Sequence, residues 1–377
     1  MRANITISEA ELSHWKLLDR FRDLLARVVR KPSEDLRRGG PARKLLEADY
    51  FSLFLFAFLN PVVESMRGLC AASHIKRVQR EVCGSKVSLG SFSEAQAVFD
   101  AARLQDVFLN LAQEASCAGG DERLAPYAER LKAVDGTLLP ALPRMHWALW
   151  VNDENRAAKL HLKFNVCGQQ ACEALITAGN ASERAALRKM AKPGEILIAD
   201  RGYGAEYKFL DELRQIGVSF VIRIRNEPVM EVVEELPLED ADRTAGVTWQ
   251  GWVKLGSHWE GPPIRVVRVE VDDHQLMLAT DLKIDAELVA LIYRYRWQVE
   301  LFFKWLKCIL GCRHLLAESP SGVAIQIYTA LIAALLLQAF TGKRPTKRAM
   351  ELIRFYFLGY IGDDELSKLL LLEKTKA

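Results

Sequence analysis

The chain has 377 residues, half of them apolar and 26% charged, which is ordinary for a soluble globular protein of two or three domains. Lys and Arg number 51 against 48 Asp and Glu, so the net charge is only +3. That excess does not by itself establish nucleic-acid binding, although it leaves room for local basic patches. Seven Cys at irregular spacing, with no second His/Cys pair near Cys167 and Cys172 or near Cys308 and Cys312, argue against a zinc module and fit free thiols in a reducing cytosol. The start, Met1-Arg2-Ala3-Asn4, leads into a polar helix rather than an apolar signal segment.

Residues 1–120 read as helical. The apolar run 43–60 stops before Pro61, a natural helix end. Ser65 and Ser73 are candidate caps, and a basic stretch runs from His74 to Arg80. A further helix opens in Gly90–Ala95, with Ser91 as its cap and Glu94 three residues on, the capping-box pattern. Hydroxyls at a helix start beside basic residues suit a DNA phosphate, and equally suit a plain solvated surface. Residues 117–121 read as a linker.

Strand patterns follow. Residues 131–139 form a short strand ending in a turn, 159–166 alternate as a half-buried strand, and 171–177 supply its hairpin partner. Helix 181–190, the apolar strand 195–199, helix 205–215 and strand 218–224 complete the order. Residues 226–282, with short alternating runs among Gly, Pro and Trp, look like a β-rich insertion. A long helix begins near Asp285. Residues 323–340 are nearly long and apolar enough to span a bilayer. Gln326, Thr329 and Gln338 interrupt them and no aromatic belt marks both ends, so a buried helix is expected and no membrane partner.

Two aspartates lie at strand ends: Asp135 in Val134-Asp135-Gly136-Thr137, and Asp200 in Asp200-Arg201-Gly202-Tyr203. Carboxylates at a sheet edge are exposed to a cleft yet held by the core, and two of them can share hard cations that favour oxygen ligands. Either one alone reads equally as a turn or cap residue. On a helical wheel, Tyr293, Arg296, Glu300 and Lys307 form one polar stripe opposite Val299, Phe302, Trp305, Leu306 and Ile309. Such a stripe can carry an acid for metal and bases for phosphate, or simply an Arg296–Glu300 surface ion pair; spacing does not choose.

Tyr293, Arg296, Glu300 and Lys307 resemble the Tyr-x2-Arg-x3-Glu-x6-Lys signature of DDE transposases of the insertion-sequence-four family. Asp135 and Asp200 sit in segments similar to that family's two aspartate motifs. The resemblance spans about residues 40–340. It implies an α/β fold with a ribonuclease H-like catalytic core (121–225 and 283–345), a β-rich insertion (226–282) and a helical DNA-binding domain (1–120); residues 346–377, which the resemblance does not cover, are expected to be C-terminal helices. It implies that Asp135, Asp200 and Glu300 are catalytic and hold two Mg²⁺ ions, with Mn²⁺ as a substitute, while Tyr293, Arg296 and Lys307 bind DNA. The implied partners are terminal inverted repeats and target DNA, in a dimer bridging two DNA ends, in the bacterial cytoplasm on the nucleoid. A Trp of the insertion (Trp249, Trp252 or Trp259) would stack on a flipped base, though packing accounts for each of them as well. His161 occupies a common family position for which packing is the simpler role. A ribonuclease H-like nuclease without strand transfer, and a non-catalytic DNA-binding derivative, are the competing functions.

Overall fold

Segments that alternate or run apolar between residues 131 and 280 become strands, and segments with a 3.6-residue apolar period become helices. The computed structural model describes residues 16–29, 45–114, 121–152, 154–272 and 274–374. Two units divide the chain: residues 1–114 together with 305–377, and residues 115–304.

The first unit opens with α1 (Lys16–Val29), α2 (Glu47–Leu59), α3 (Met66–Ala72), α4 (Lys76–Val78) running into a π turn at Gln79–Cys83, α5 (Leu89–Val98) and α6 (Ala101–Glu114). Ser65 caps α3 by accepting the Gly68 N–H. The cap of α5 is Ser88, not Ser91: the Ser88 hydroxyl accepts the Ser91 N–H, and the helix starts three residues earlier than the capping-box pattern suggested. The linker expected at 117–121 lies, except for Asp121, outside the described residues.

The second unit is built on a mixed sheet of β1 (Leu131–Ala141), β2 (Arg156–Asn165), β3 (Gln170–Ala178), β4 (Ile196–Ala199), β5 (Ser219–Arg223), β6 (Met230–Glu235), β7 (Val247–Leu255), β8 (Ile264–Val271) and β9 (His274–Thr280). Among the described residues its order is β3-β2-β1-β4-β5-β9-β8-β7-β6. Strands β1, β4 and β5 run parallel to one another, and every other pairing is antiparallel. Segment 226–282 thus extends the same sheet beyond β5.

Helices α7 (Glu183–Met190) and α8 (Tyr207–Gln215) supply the parallel crossovers. Their Leu187, Phe209, Leu210 and Leu213 bury against Val134, Leu197, Ala199, Phe220 and Ile222 on one sheet face. Each such fully buried side chain contributes about 1.5–3 kcal/mol. A short α9 (Asp240–Thr244) precedes α10 (Ala286–Arg294) and α11 (Trp297–Cys308). Buried Asp242 of α9 accepts the Glu287 N–H at 2.8 Å, and buried Arg265 of β8 donates to the Leu282 carbonyl at 3.3 Å, so segment 226–282 anchors the start of α10. On the face opposite α7 and α8, Phe302 of α11 meets Phe164 with ring centroids 5.3 Å apart.

The single long helix expected from Asp285 is broken. Tyr295 and Arg296 form a turn in which the Tyr295, Arg296, Gln298 and Val299 amides each bond to the carbonyl three residues back. This is the tighter 3₁₀ winding, and it re-aims the chain between α10 and α11.

The first unit is completed by α12 (Pro320–Thr341), α13 (Lys347–Leu358) and α14 (Asp363–Lys374). Pro320 at the first turn, the Ser319 cap and left-handed Gly342 bound α12 as such residues should. Among the described residues α12 is the one helix long and apolar enough to cross a membrane, and it is mostly buried in its unit, packed against α2 and α6. Its Gln326 donates to the His314 carbonyl and accepts the Leu316 N–H, each at 2.7 Å, and the Thr329 hydroxyl donates to the Ile325 carbonyl at 2.7 Å, so these two polar interruptions are satisfied.

A Cβ at Gly204 would lie 2.2 Å from the Arg223 carbonyl oxygen of β5. We predict that Gly204→Ala costs about 2–3 kcal/mol of stability, read as a lower urea midpoint at unchanged m-value.

Candidate active site

Register brings the first two acids together. Strands β1 and β4 pair Leu131 with Ile196, Lys132 with Leu197 and Ala133 with Ile198. Two residues beyond that last pair stand Asp135 and Asp200, level with each other. Asp135 is not at a strand end, because β1 continues against β2, where Asp135 pairs Leu162, as far as Ala141. What ends at Ala133 is the pairing with β4, which leaves Asp135 on a strand stiffened from one side and open on the other. Asp200 directly follows β4, and its Oδ1 accepts the Gly202 N–H at 2.8 Å as the chain turns into Tyr203–Ala205.

The third acid lies on α11, which packs on one sheet face through Phe302. Side chains alternate across a strand, so Asp135 shares the face of Ala133 and of Phe164, the residue opposite Ala133. Phe302 packs on that face, and Glu300 lies half a turn before it on α11. In this structure Glu300 receives a hydrogen bond from Arg296 at 2.5 Å, the i,i+4 pair that the spacing allowed. Arg296 in turn lies over the Tyr293 ring, 5.8 Å from its centroid.

Electrostatics tie the set together. Burial pushes the Asp135 carboxyl up to about 7; the Gly136 N–H and Arg296 pull it down, and Asp200 and Glu300 push it up. Tyr293 is buried, which raises its hydroxyl, with Arg296 opposing. Among the described residues no three His, Cys, Asp or Glu side chains are gathered closely enough to hold a metal ion. Each of the three acids is instead engaged by its own chain neighbour: Gly136, Gly202 or Arg296.

Lys307 lies half-buried in the last turn of α11, seven residues beyond Glu300 and past the unit boundary. His161 is fully buried on the opposite sheet face from Asp135; its Nε2 lies 2.9 Å from the Thr177 hydroxyl, and burial holds its pKa down to about 4. Trp249 and Trp259 are half-buried, with indole N–H groups donated to Glu235 and the Pro262 carbonyl, and Trp252 is half-buried in β7.

Sequence reasoning missed an open cleft of about 730 Å³ lined by Asp200, Arg201, Gly202, Arg225, Asn226 and Glu227. Arg225 was legible in principle. It lies just past the third parallel strand, at the carboxyl edge that carries Asp200, where such sheets place ligands. Glu183 was missed too. Its carboxylate oxygens lie 3.1 Å and 3.4 Å from where Cβ atoms on Gly136 and Gly202 would stand.

A mixed α/β sheet with carboxylates converging at the carboxyl edge of its parallel strands defines the class of site. The profile of the transposase DDE domain matches residues 126–336, and the chain belongs to that family. It is 28% identical over 234 residues, 60% of this chain and 64% of the relative, to a Sinorhizobium fredii protein assigned as a transposase. It is 23% identical over 301 residues, 77% of this chain and 80% of the relative, to a Synechocystis protein assigned to an insertion sequence element. The transposase of the insertion sequence element IS421 from Escherichia coli is 25% identical over 55% of this chain and 65% of its own length. The chain thus spans somewhat under two thirds of the first and third of these relatives. A piggyBac transposase synaptic complex with hairpin DNA superposes at a TM-score of 0.45 and 9% identity, over 96% of this chain and 80% of that one, too loosely to carry an argument.

Because the folded-state pKa of Asp135 is raised above the ordinary 3.8, the folded protein holds a proton that the unfolded chain has lost. Stability of the metal-free protein should therefore fall as pH rises from about 4 to about 7. Asp135→Asn should melt roughly 2–4 °C above wild type at pH 8, with the gap closing by pH 4. Equal melting of the two proteins across that range would refute the assignment.

Proposed function

We propose that this chain is a DNA transposase that cuts and joins DNA at the ends of an insertion sequence, with Asp135, Asp200 and Glu300 as its catalytic acids. The carrying observation is that carboxylates 65 and 165 residues further along the chain act on the Asp135 carboxyl, where one arginine opposes them. Three acids against one guanidinium is an excess of hard oxygen donors that suits divalent cations, Mg²⁺ first and Mn²⁺ as substitute. The strand order β3-β2-β1-β4-β5, with β1, β4 and β5 parallel, supports a ribonuclease H-like core.

Asp135, Asp200 and Glu300 would hold a pair of cations. When bound, these would activate a water or a 3′-hydroxyl and stabilise the oxygens of an in-line phosphoryl displacement. The chain's own part is positioning. The strands fix Asp135 and Asp200, and Arg296 holds Glu300 in place until a ligand competes for either partner. Freed from Glu300, the Arg296 guanidinium suits a phosphate, with the Tyr293 ring beneath it. Lys307 supplies a further charge along the same helix. Arg201 and Arg225, both exposed, line the cleft beside Asp200 and suit the backbone of a terminal repeat or of target DNA. The helices of residues 16–114 would bind the repeat, segment 226–282 would be an insertion in the core, and two chains would bridge two DNA ends on the bacterial nucleoid.

Asp200→Ala should reduce cleavage of an end-containing duplex at least 10³-fold in Mg²⁺ while leaving end binding within about threefold. Wild-type cleavage by this variant would sink the assignment, and cleavage without joining of a pre-cut end in the wild type would favour a nuclease. Arg225→Ala should weaken DNA binding across sequences and lower the slope of log K against log salt by about 1. An unchanged slope would remove Arg225 from the DNA path.

A further inference from the structure

Glu183 occupies the first turn of α7, a helix capped by the Ser182 hydroxyl. An acid there ordinarily does no more than favour the helix dipole. Here the carboxylate reaches across to both aspartate motifs. Its Oε1 lies 3.1 Å from where a Cβ on Gly136, the residue after Asp135, would stand. Its Oε2 lies 3.4 Å from where a Cβ on Gly202 would stand, and Asp200 Oδ1 lies 3.1 Å from that same point. The two glycines therefore form a cradle that any side chain would fill, and the Glu183 and Asp200 carboxylates flank one side of it.

The placement is held. Arg184, the next residue, donates to the Gly202 carbonyl at 2.9 Å and pairs with Glu206 at 3.0 Å, which fastens the first turn of α7 to the Asp200 turn. Glu183 itself is only loosely paired, with Lys159 Nζ 3.5 Å from Oε1, and its side chain is 32% exposed. The first turn of α7 is thus fastened beside the Asp200 turn, and the Glu183 carboxylate has only a loose partner in Lys159.

We propose that Glu183 is a fourth carboxylate of the divalent-cation site, an oxygen donor acting beside Asp200. This rests on the metal-binding reading of Asp135 and Asp200. Hard cations take six or more oxygen ligands, and each anionic one strengthens the site.

The test is Mn²⁺ titration of the metal-free, full-length protein by calorimetry, together with the Mn²⁺-induced rise in melting temperature. Glu183→Gln should weaken Mn²⁺ binding about tenfold or more and shrink the thermal shift, with the metal-free melting temperature unchanged. Glu183→Asp should recover part of the affinity. Asp200→Asn is the reference for the site itself. If Asp200→Asn binds Mn²⁺ as wild type does, the parent reading fails. If Asp200→Asn loses Mn²⁺ and Glu183→Gln does not, this proposal alone fails. If Glu183→Gln melts lower without metal and Lys159→Met causes the same loss of Mn²⁺ affinity, Glu183 is a structural partner of Lys159 and the proposal is overturned.

Discussion

The parallel pairing of β1 with β4 is the constraint on which the site depends. Three register pairs, ending at Ala133 and Ile198, set Asp135 and Asp200 level at the point where β4 stops. A slip of one residue would turn a whole strand over and send its acid to the α7–α8 face. Burial opposes that slip. Val134, Leu197 and Ala199 are packed under α7 and α8, while Ala133 and Ile198 are fully buried in the layer on the other face. The close approach of Gly204 to the Arg223 carbonyl then ties the turn after Asp200 to the third parallel strand.

That arrangement is costly without a ligand. A half-buried carboxyl beside two others resists ionisation, and the fold accepts this because the surrounding core determines where Asp135 stands. Active sites commonly carry such perturbed acids, and the charge that destabilises the metal-free protein is the charge a divalent cation would neutralise. The Arg296–Glu300 pair offsets part of it meanwhile. It is the ion pair that the spacing of the helical stripe allowed. The structure holds the ion pair; under the proposed function the same two side chains would separate to serve a cation and a phosphate.

Orientation of the third acid depends on parts remote in sequence. Asp242, from the strand-rich segment, bonds the first turn of α10, and Arg265 bonds the carbonyl of Leu282 just ahead of that helix. The 3₁₀ turn at Tyr295 and Arg296 then redirects the chain, and Phe302 against Phe164 seats α11 over the sheet. Segment 226–282 therefore does more than decorate the sheet edge: it fixes the start of the helix pair that carries Tyr293, Arg296 and Glu300.

Periodicity and punctuation by themselves determined much of this protein. The order of three strands, helix, strand, helix, strand was legible because two-residue alternation and apolar runs are local properties, as were the Pro61 stop after α2, the Ser65 cap of α3 and the polar notches in α12. The motif residues at 135, 200, 293, 296, 300 and 307 were legible as types at spacings. Only the tertiary structure decided which of them meet. Register sets Asp135 level with Asp200, Glu300 acts on the Asp135 carboxyl from α11, and packing forces the break at Tyr295 that an uninterrupted wheel could not anticipate. The nearness of Glu183 to Gly136 and Gly202, and of Arg225 to Asp200, depends on contacts between residues far apart along the chain. No local pattern records such contacts, because they are set by how the sheet and its helices pack.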